Sequence, residues 1–210
     1  MDFSNSFGVE FREVENRTHD GQDVRVVAAS RTYPTDSEDL WDALTDAERI
    51  PRWFLPVSGD LEPGGRYQFE GNAGGRILRC DAGEALEITW EYGGQVSWVH
   101  LRLDPAEGGT RLTLEHLIPT DEAAEEHWTQ YGPGAMGVGW DLSFVGLALH
   151  LETGQAIDQE ESFEWMGSDE GKRFMRRSAN LWAEAHKEAG EDPEVADDMA
   201  GRTAAFYTGE

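Results

Sequence analysis

Alternation with a period of two dominates the middle of the chain. Leu86, Ile88, Trp90 and Tyr92 share one face of a segment whose other face carries Glu87, Thr89 and Glu91, the mark of a half-buried strand. Similar strands are expected over residues 7–14, 24–33, 66–70, 76–82, 95–103 and 110–118. The breaks between them are turn-forming: Asp20-Gly21, Pro63-Gly64-Gly65, residues 71–75, Gly93-Gly94 and residues 104–109. Connections this short join antiparallel neighbours, because a parallel crossover needs a dozen residues or more. The strands therefore form a meander.

Helical spacing flanks the strands. Leu40, Trp41 and Leu44 predict a helix over residues 37–46, capped by Thr35 or Asp36, and a short helical turn follows over 47–53, stopped near Pro56. After Pro119, Thr120 and Asp121 can cap a helix through Tyr131, broken by Gly132-Pro133-Gly134. A longer helix over 139–152 carries Trp140, Phe144, Leu147 and Leu151 on one stripe. Leu142, Val145 and Leu149 widen its apolar surface, so it is expected to be mostly buried. A helix over 169–189, capped by Ser168, has the stripe Phe174, Ser178, Leu181, Trp182 and Ala185. Asp192-Pro193 opens a last one with Val195, Met199, Thr203, Phe206 and Tyr207 on one side. The order of elements predicts an α+β domain over residues 1–153, with helices on one face of an antiparallel sheet. Residues 154–210 read as a helical extension that docks on the main body or forms a homodimer.

Composition narrows the function. Among 210 residues, 17 Lys and Arg face 42 Asp and Glu, a formal net charge of −25. The apolar fraction of 39% and eight Trp are too high for an acidic disordered chain. A charge of that sign disfavours nucleic acid and anionic lipid surfaces as partners. The single cysteine, Cys80, forms no internal disulfide, and its flanks favour a buried, inert thiol. With no signal peptide at the start and no apolar run of membrane-spanning length, a cytoplasmic protein is expected.

Motifs for chemistry are sparse. Gly132-Pro133-Gly134-Ala135-Met136-Gly137 is a literal G-x-G-x-x-G, but a helix precedes it, the strands around it form a meander, and Pro133 removes an N–H. It reads as a hinge between two helices. The six histidines are scattered and no nucleophile elbow occurs, so no metal, cofactor or catalytic residue is assigned. His100 shares a strand face with Trp98, and His116 one with Leu112 and Leu114. Each is either a core histidine bound to a carbonyl or a ligand contact, with His116 the more structural of the two. Ten large aromatic rings fall on helix stripes or alternate strand positions, enough to line an internal cavity.

Taken in order, several segments carry a resemblance. They are Arg31-Thr32-Tyr33 leading into Glu38-Asp39-Leu40-Trp41-Asp42-Ala43-Leu44-Thr45, then Arg52-Trp53-Phe54, Pro63-Gly64-Gly65-Arg66-Tyr67 and Leu86-Glu87-Ile88-Thr89-Trp90. Gly109-Thr110-Arg111-Leu112-Thr113-Leu114-Glu115-His116 and Gly139-Trp140-Asp141 complete the series. Across residues 24–152 the chain resembles the SRPBCC (START/Bet v 1-like) superfamily, in the branch named after the C-terminal domain of the activator of Hsp90 ATPase. The resemblance implies the helix-grip fold, a curved antiparallel sheet around a long C-terminal helix with a hydrophobic cavity between them. Members bind lipids, hormones or polyketides, some act as cyclases or aromatases, and the eukaryotic namesake stimulates the Hsp90 ATPase. Fold alone does not choose among these. The first expectation is a binding protein for a small hydrophobic molecule, held by Trp53, Phe54, Phe69 and Trp90 together with Trp98, His100, Trp140 and Phe144. The second is a chaperone or stress-response regulator acting through a protein partner, and the third a cyclase or isomerase with His100 as acid–base group.

Overall fold

The structure, a computed structural model, describes residues 11–210. β1 (Phe11–His19) and β2 (Gln22–Tyr33) form a hairpin about Asp20-Gly21, both with positive φ as a two-residue turn between twisted strands requires. β1 runs five residues past its expected end, because the polar segment 15–19 is held by pairing with β2. The expected start of this strand, residues 7–10, lies outside the described residues. α1 (Ser37–Thr45) is capped by the Asp36 side chain, which accepts from Asp39 N. Only Ile50–Arg52 of the expected turn over 47–53 is helical, as a single 3-10 turn.

The remaining strands are β3 (Val57–Gly59), β4 (Arg66–Phe69), β5 (Gly74–Asp81), β6 (Ala85–Tyr92), β7 (Gln95–Ala106) and β8 (Gly109–Pro119). Three-residue β3 is too short to show a period, and periodicity did not announce it. Among the described residues the eight strands form one antiparallel sheet in the order β1-β2-β8-β7-β6-β5-β4-β3. The meander from β3 to β8 is closed by the β1–β2 hairpin, which docks on β8. α2 (Glu122–Tyr131), α3 (Gly134–Thr153), α4 (Gln159–Gly167), α5 (Asp169–Glu188) and α6 (Pro193–Thr208) follow. α4 was not expected, and it buries no residue.

α3 begins five residues before the expected start. Glycines at 134 and 137 lower intrinsic helicity, yet here they let neighbours approach. A Cβ on Gly137 would stand 2.2 Å from the Trp182 ring, and one on Gly146 would stand 2.7 Å from the Trp53 carbonyl oxygen. The G-x-G-x-x-G motif is thus a packing seam between helices. α3 is long and apolar enough to cross a membrane by length and composition. In the fold its sides are occupied instead. Phe144 and Leu147 join the core under the sheet with Val27, Leu40, Leu112 and Leu114. Val138, Val145 and Leu149 face Phe174, Met175 and Ala200 of α5 and α6.

The C-terminal helices complete the core. Trp182 of α5 is fully buried and belongs to the cluster under the sheet. Asp141 of α3, also fully buried, accepts from Arg12 Nη2 of β1 at 2.8 Å and from Ser178 Oγ of α5, so one carboxylate ties three elements. Burial pushes its pKa up, against the pull of Arg12. The expected stripe of α6 is corrected in part: Met199 and Thr203 face inward, whereas Phe206 is 66% and Val195 40% exposed, and Ala196 and Ala200 take the inner positions.

Candidate functional site

Strand register decides which side chains can meet. Reading across six strands, Val14, Val27, His116, Val99, Ile88 and Ile77 form one row on the face that receives the helices. His116 is its one polar member. The neighbouring row on the opposite face reads Glu13, Ala28, Glu115, His100, Glu87 and Arg79.

His116 is fully committed. Trp140 Nε1 can only donate, and it points at His116 Nδ1 at 3.2 Å, so Nδ1 accepts and Nε2 carries the proton. Nε2–H donates to Ser97 Oγ at 2.8 Å, and Ser97 Oγ donates onward to the Trp90 carbonyl at 3.2 Å. Burial lowers the His116 pKa to about 4, so the ring is neutral near pH 7.

Around this imidazole the aromatic side chains pack on one another. Trp140 lies edge-on to Trp90 with centroids 5.2 Å apart and stacks on Phe54 at 6.5 Å. Phe54 meets Phe69 at 5.0 Å, and Phe69 meets Trp90 at 5.9 Å. Trp53 joins Phe54 at 5.5 Å, fixed by its Nε1 donating to the Ala43 carbonyl at 2.8 Å. Phe144 sits deeper, against Tyr33, whose hydroxyl donates to the Phe144 carbonyl.

The rings fill the centre, and the open space lies to their sides. One such space, about 560 Å³, is a groove between the β6–β7 turn and α2. Trp90, Ser97 and His116 close its inner end; Ile118, Trp128 and Met136 form its walls. Tyr92 and Val96, 61% and 45% exposed, stand at the mouth. A second cleft of about 220 Å³ runs between Trp53, Phe54 and Leu142 on one side and Ile157, Phe163 and Met166 on the other. A third space, about 60 Å³, is left among Leu44, Tyr67, Phe69, Cys80 and Ile88. The Cys80 thiol there is half-buried, and burial pushes its pKa up.

Six of the eight expected lining residues, Trp53, Phe54, Phe69, Trp90, Trp140 and Phe144, lie on the helix side of the sheet. Trp98 and His100 do not, and this corrects their expected place in the cavity. Both project from the opposite face, where Trp98 covers Val24, Val26 and Leu117, and the His19 ring packs on Trp98 at 4.8 Å and on His100 at 5.3 Å. The inward phase of β7 is Ser97, Val99, Leu101 and Leu103. The pKa of His100 is lowered, first by burial, while Glu87 and Glu115 oppose the shift. The imidazole inside is His116, which the sequence assigned the more structural part. Ser97, Trp128 and Met136 were not singled out as site residues; the stripe of Ala124 and Trp128 on α2, four apart, was the available signal for Trp128. Among the described residues, no group of three or more His, Cys, Asp or Glu could hold a metal ion.

Comparison with known proteins follows the same geometry. The sequence model described as "Activator of Hsp90 ATPase homolog 1-like protein" matches residues 34–152, more than half of the chain. The chain belongs to that family. Its sheet around a long helix is the helix-grip fold of the SRPBCC superfamily. The crystal structure of CalU16 from Micromonospora echinospora is 31% identical, with a TM-score of 0.65 over 83% of this chain and 96% of that one. The solution structure of CalU16 is 30% identical, with a TM-score of 0.71 over 88% and 99%. That 88% of 210 residues is about 185, more than residues 1–152 can supply, so the likeness runs into the C-terminal helices. DynU16, a putative protein in the dynemicin biosynthetic locus, is 25% identical with a TM-score of 0.52, over 62% of this chain and 48% of its own. No protein of curated function matches the chain.

Proposed function

We propose that the protein binds a small, largely apolar molecule in the groove between the β6–β7 turn and α2. The observation that carries this is an open space of about 560 Å³ walled by Trp90, Ile118, Trp128 and Met136. That is the size and character of a small-molecule site, with Ser97 and His116 as convergent polar groups at its end. The packed aromatic cluster makes the inner wall rigid, which lowers the ordering cost of binding. That DynU16 belongs to a biosynthetic locus fits a chain that handles a small molecule.

The acid–base reading loses its candidate. His100 faces away from the groove, and His116 is neutral with both nitrogens engaged. The family's description supplies the alternative of a chaperone regulator; stimulation of a cognate Hsp90 ATPase by this protein would favour it.

The binding reading is tested with 2-(2-naphthyl)ethanol, followed by quenching of tryptophan fluorescence. Saturable quenching is expected for the native protein, and Met136→Trp, which fills the groove, abolishes it. Absence of saturable binding to the native protein refutes the groove as a site for such molecules.

A further inference from the structure

The groove has a charge pattern as well as a shape. Among the described residues its lining contains two acidic side chains, Asp121 and Glu126, and neither a Lys nor an Arg. We propose that it takes aromatic amines in preference to aromatic acids; this rests on the reading of the groove as a ligand site.

The lining side chains offer an anion neutral donors, such as the Gln95 and Gln130 amides, but no lysine or arginine. Two guanidiniums stand beside the lining: Arg25 lies over the Trp128 ring at 4.8 Å and is held by Glu125 through both terminal nitrogens, at 2.5 Å and 3.1 Å, and Arg202 donates its Nε to the Gln130 carbonyl at 2.6 Å. Glu125 neutralises Arg25, and Arg202 spends its Nε on a backbone carbonyl. The His116 ring at the inner end is uncharged near pH 7. His127, the other imidazole of the lining, packs on Tyr131 at 5.1 Å. A carboxylate entering the groove would be desolvated without a lysine or arginine in the lining to pair with it, which is costly. An ammonium group meets the opposite conditions. Trp90, Tyr92 and Trp128 supply electron-rich rings, and Asp121 and Glu126 stand at the α2 side. Asp121 uses Oδ1 to cap α2 through Ala124 N.

The test uses three probes with one naphthalene skeleton: 2-(2-naphthyl)ethanol, 2-(2-naphthyl)ethylamine and 2-naphthylacetate. At low salt the amine is expected to bind about tenfold more tightly than the acid, the scale of one or two carboxylates a few ångströms from a partly screened ligand charge. The double variant Asp121→Asn, Glu126→Gln is expected to narrow that ratio below about threefold. Asn is as good a helix cap as Asp, and Glu126 is exposed, so this variant keeps the fold. It changes the net charge only from −25 to −23. A ratio that survives in the variant assigns the preference to the field of the whole protein and overturns the proposal, as does equal binding of amine and acid by the native protein. If the alcohol itself fails to bind, the groove reading falls, a result distinct from both.

Discussion

Replacing Gly137 with alanine tests how α3 and α5 are joined. The added methyl would lie 2.2 Å from Trp182 Cε2 and 2.3 Å from Nε1. Carbon atoms prefer about 3.5–4.0 Å, so a gap of more than an ångström must open. The indole cannot yield, because Trp182 is fully buried. Overpacking of this kind costs about 1–3 kcal/mol, and a clash with a rigid ring belongs at the upper end. Alanine regains up to about 1 kcal/mol of helix propensity. A net loss of about 2 kcal/mol is therefore expected, read as a lower urea midpoint with unchanged m-value and a Tm lowered by roughly 4–8 °C for a chain of this size. Gly201→Ala in α6, where a Cβ meets nothing within 4 Å, is the control and should gain about 0.5–1 kcal/mol. If Gly137→Ala melts at or above the native temperature, the close approach of α3 to the Trp182 ring is wrong. The G-x-G-x-x-G motif would then need an explanation other than packing.

Three further outcomes follow from the same geometry. His116 has a folded pKa of about 4 against an unfolded value near 6.5. The unfolded chain therefore takes up its proton first, and this residue's contribution, complete above about pH 6.5, is lost as pH falls towards 4, by about 3 kcal/mol. Urea titrations of the native protein and His116→Gln at pH 7 and pH 4.5 should differ in slope accordingly; parallel slopes would show that the imidazole is hydrated in the fold. His100→Ala should leave the affinity for 2-(2-naphthyl)ethanol within twofold of the native value, because the residue lies on the opposite sheet face, whereas Trp90→Ala should weaken binding about tenfold or more. Equal losses in both would place β7 one residue out of phase. Trp140→Phe removes the donor to the buried His116 Nδ1 and should cost about 1–3 kcal/mol in urea denaturation; a cost near zero would mean that water replaces the indole.

Most elements were legible because their own periodicity defines them. The strands from β4 to β8 and the helices α1, α2 and α5 begin and end within a few residues of where alternation and caps put them. The failures have physical causes. In β7 both faces carry apolar groups, since the outer face has its own small cluster of Val24, Val26, Leu117 and Trp98. Alternation then fixes two sets of residues without saying which is inside, and the tryptophan pointed to the wrong one. Only the register across neighbouring strands, which sets His100 between Glu115 and Glu87 and His116 between Val27 and Val99, resolves the choice. The groove was illegible for a related reason. One wall comes from β6 and β7 and the other from α2, and nothing local to either segment says that they face each other. The aromatic cluster was legible as composition, but not that its rings fill the centre and leave the open volume at the side.

The burial of Trp182 bears on how the molecule is made. The strands β1 to β8 and α3 leave the ribosome before α5, yet the cluster under the sheet includes a side chain from α5. Until that helix has emerged, the α3 face carrying Val138, Val145 and Leu149 and the inner face of β1 around Arg12 stay open to water. The nascent chain therefore carries a nearly finished sheet with an uncovered apolar flank until residues 169–188 have followed α3 out of the ribosome. A chain stopped after α3 is expected to be captured by holding chaperones or to aggregate rather than persist as a smaller version of the same domain.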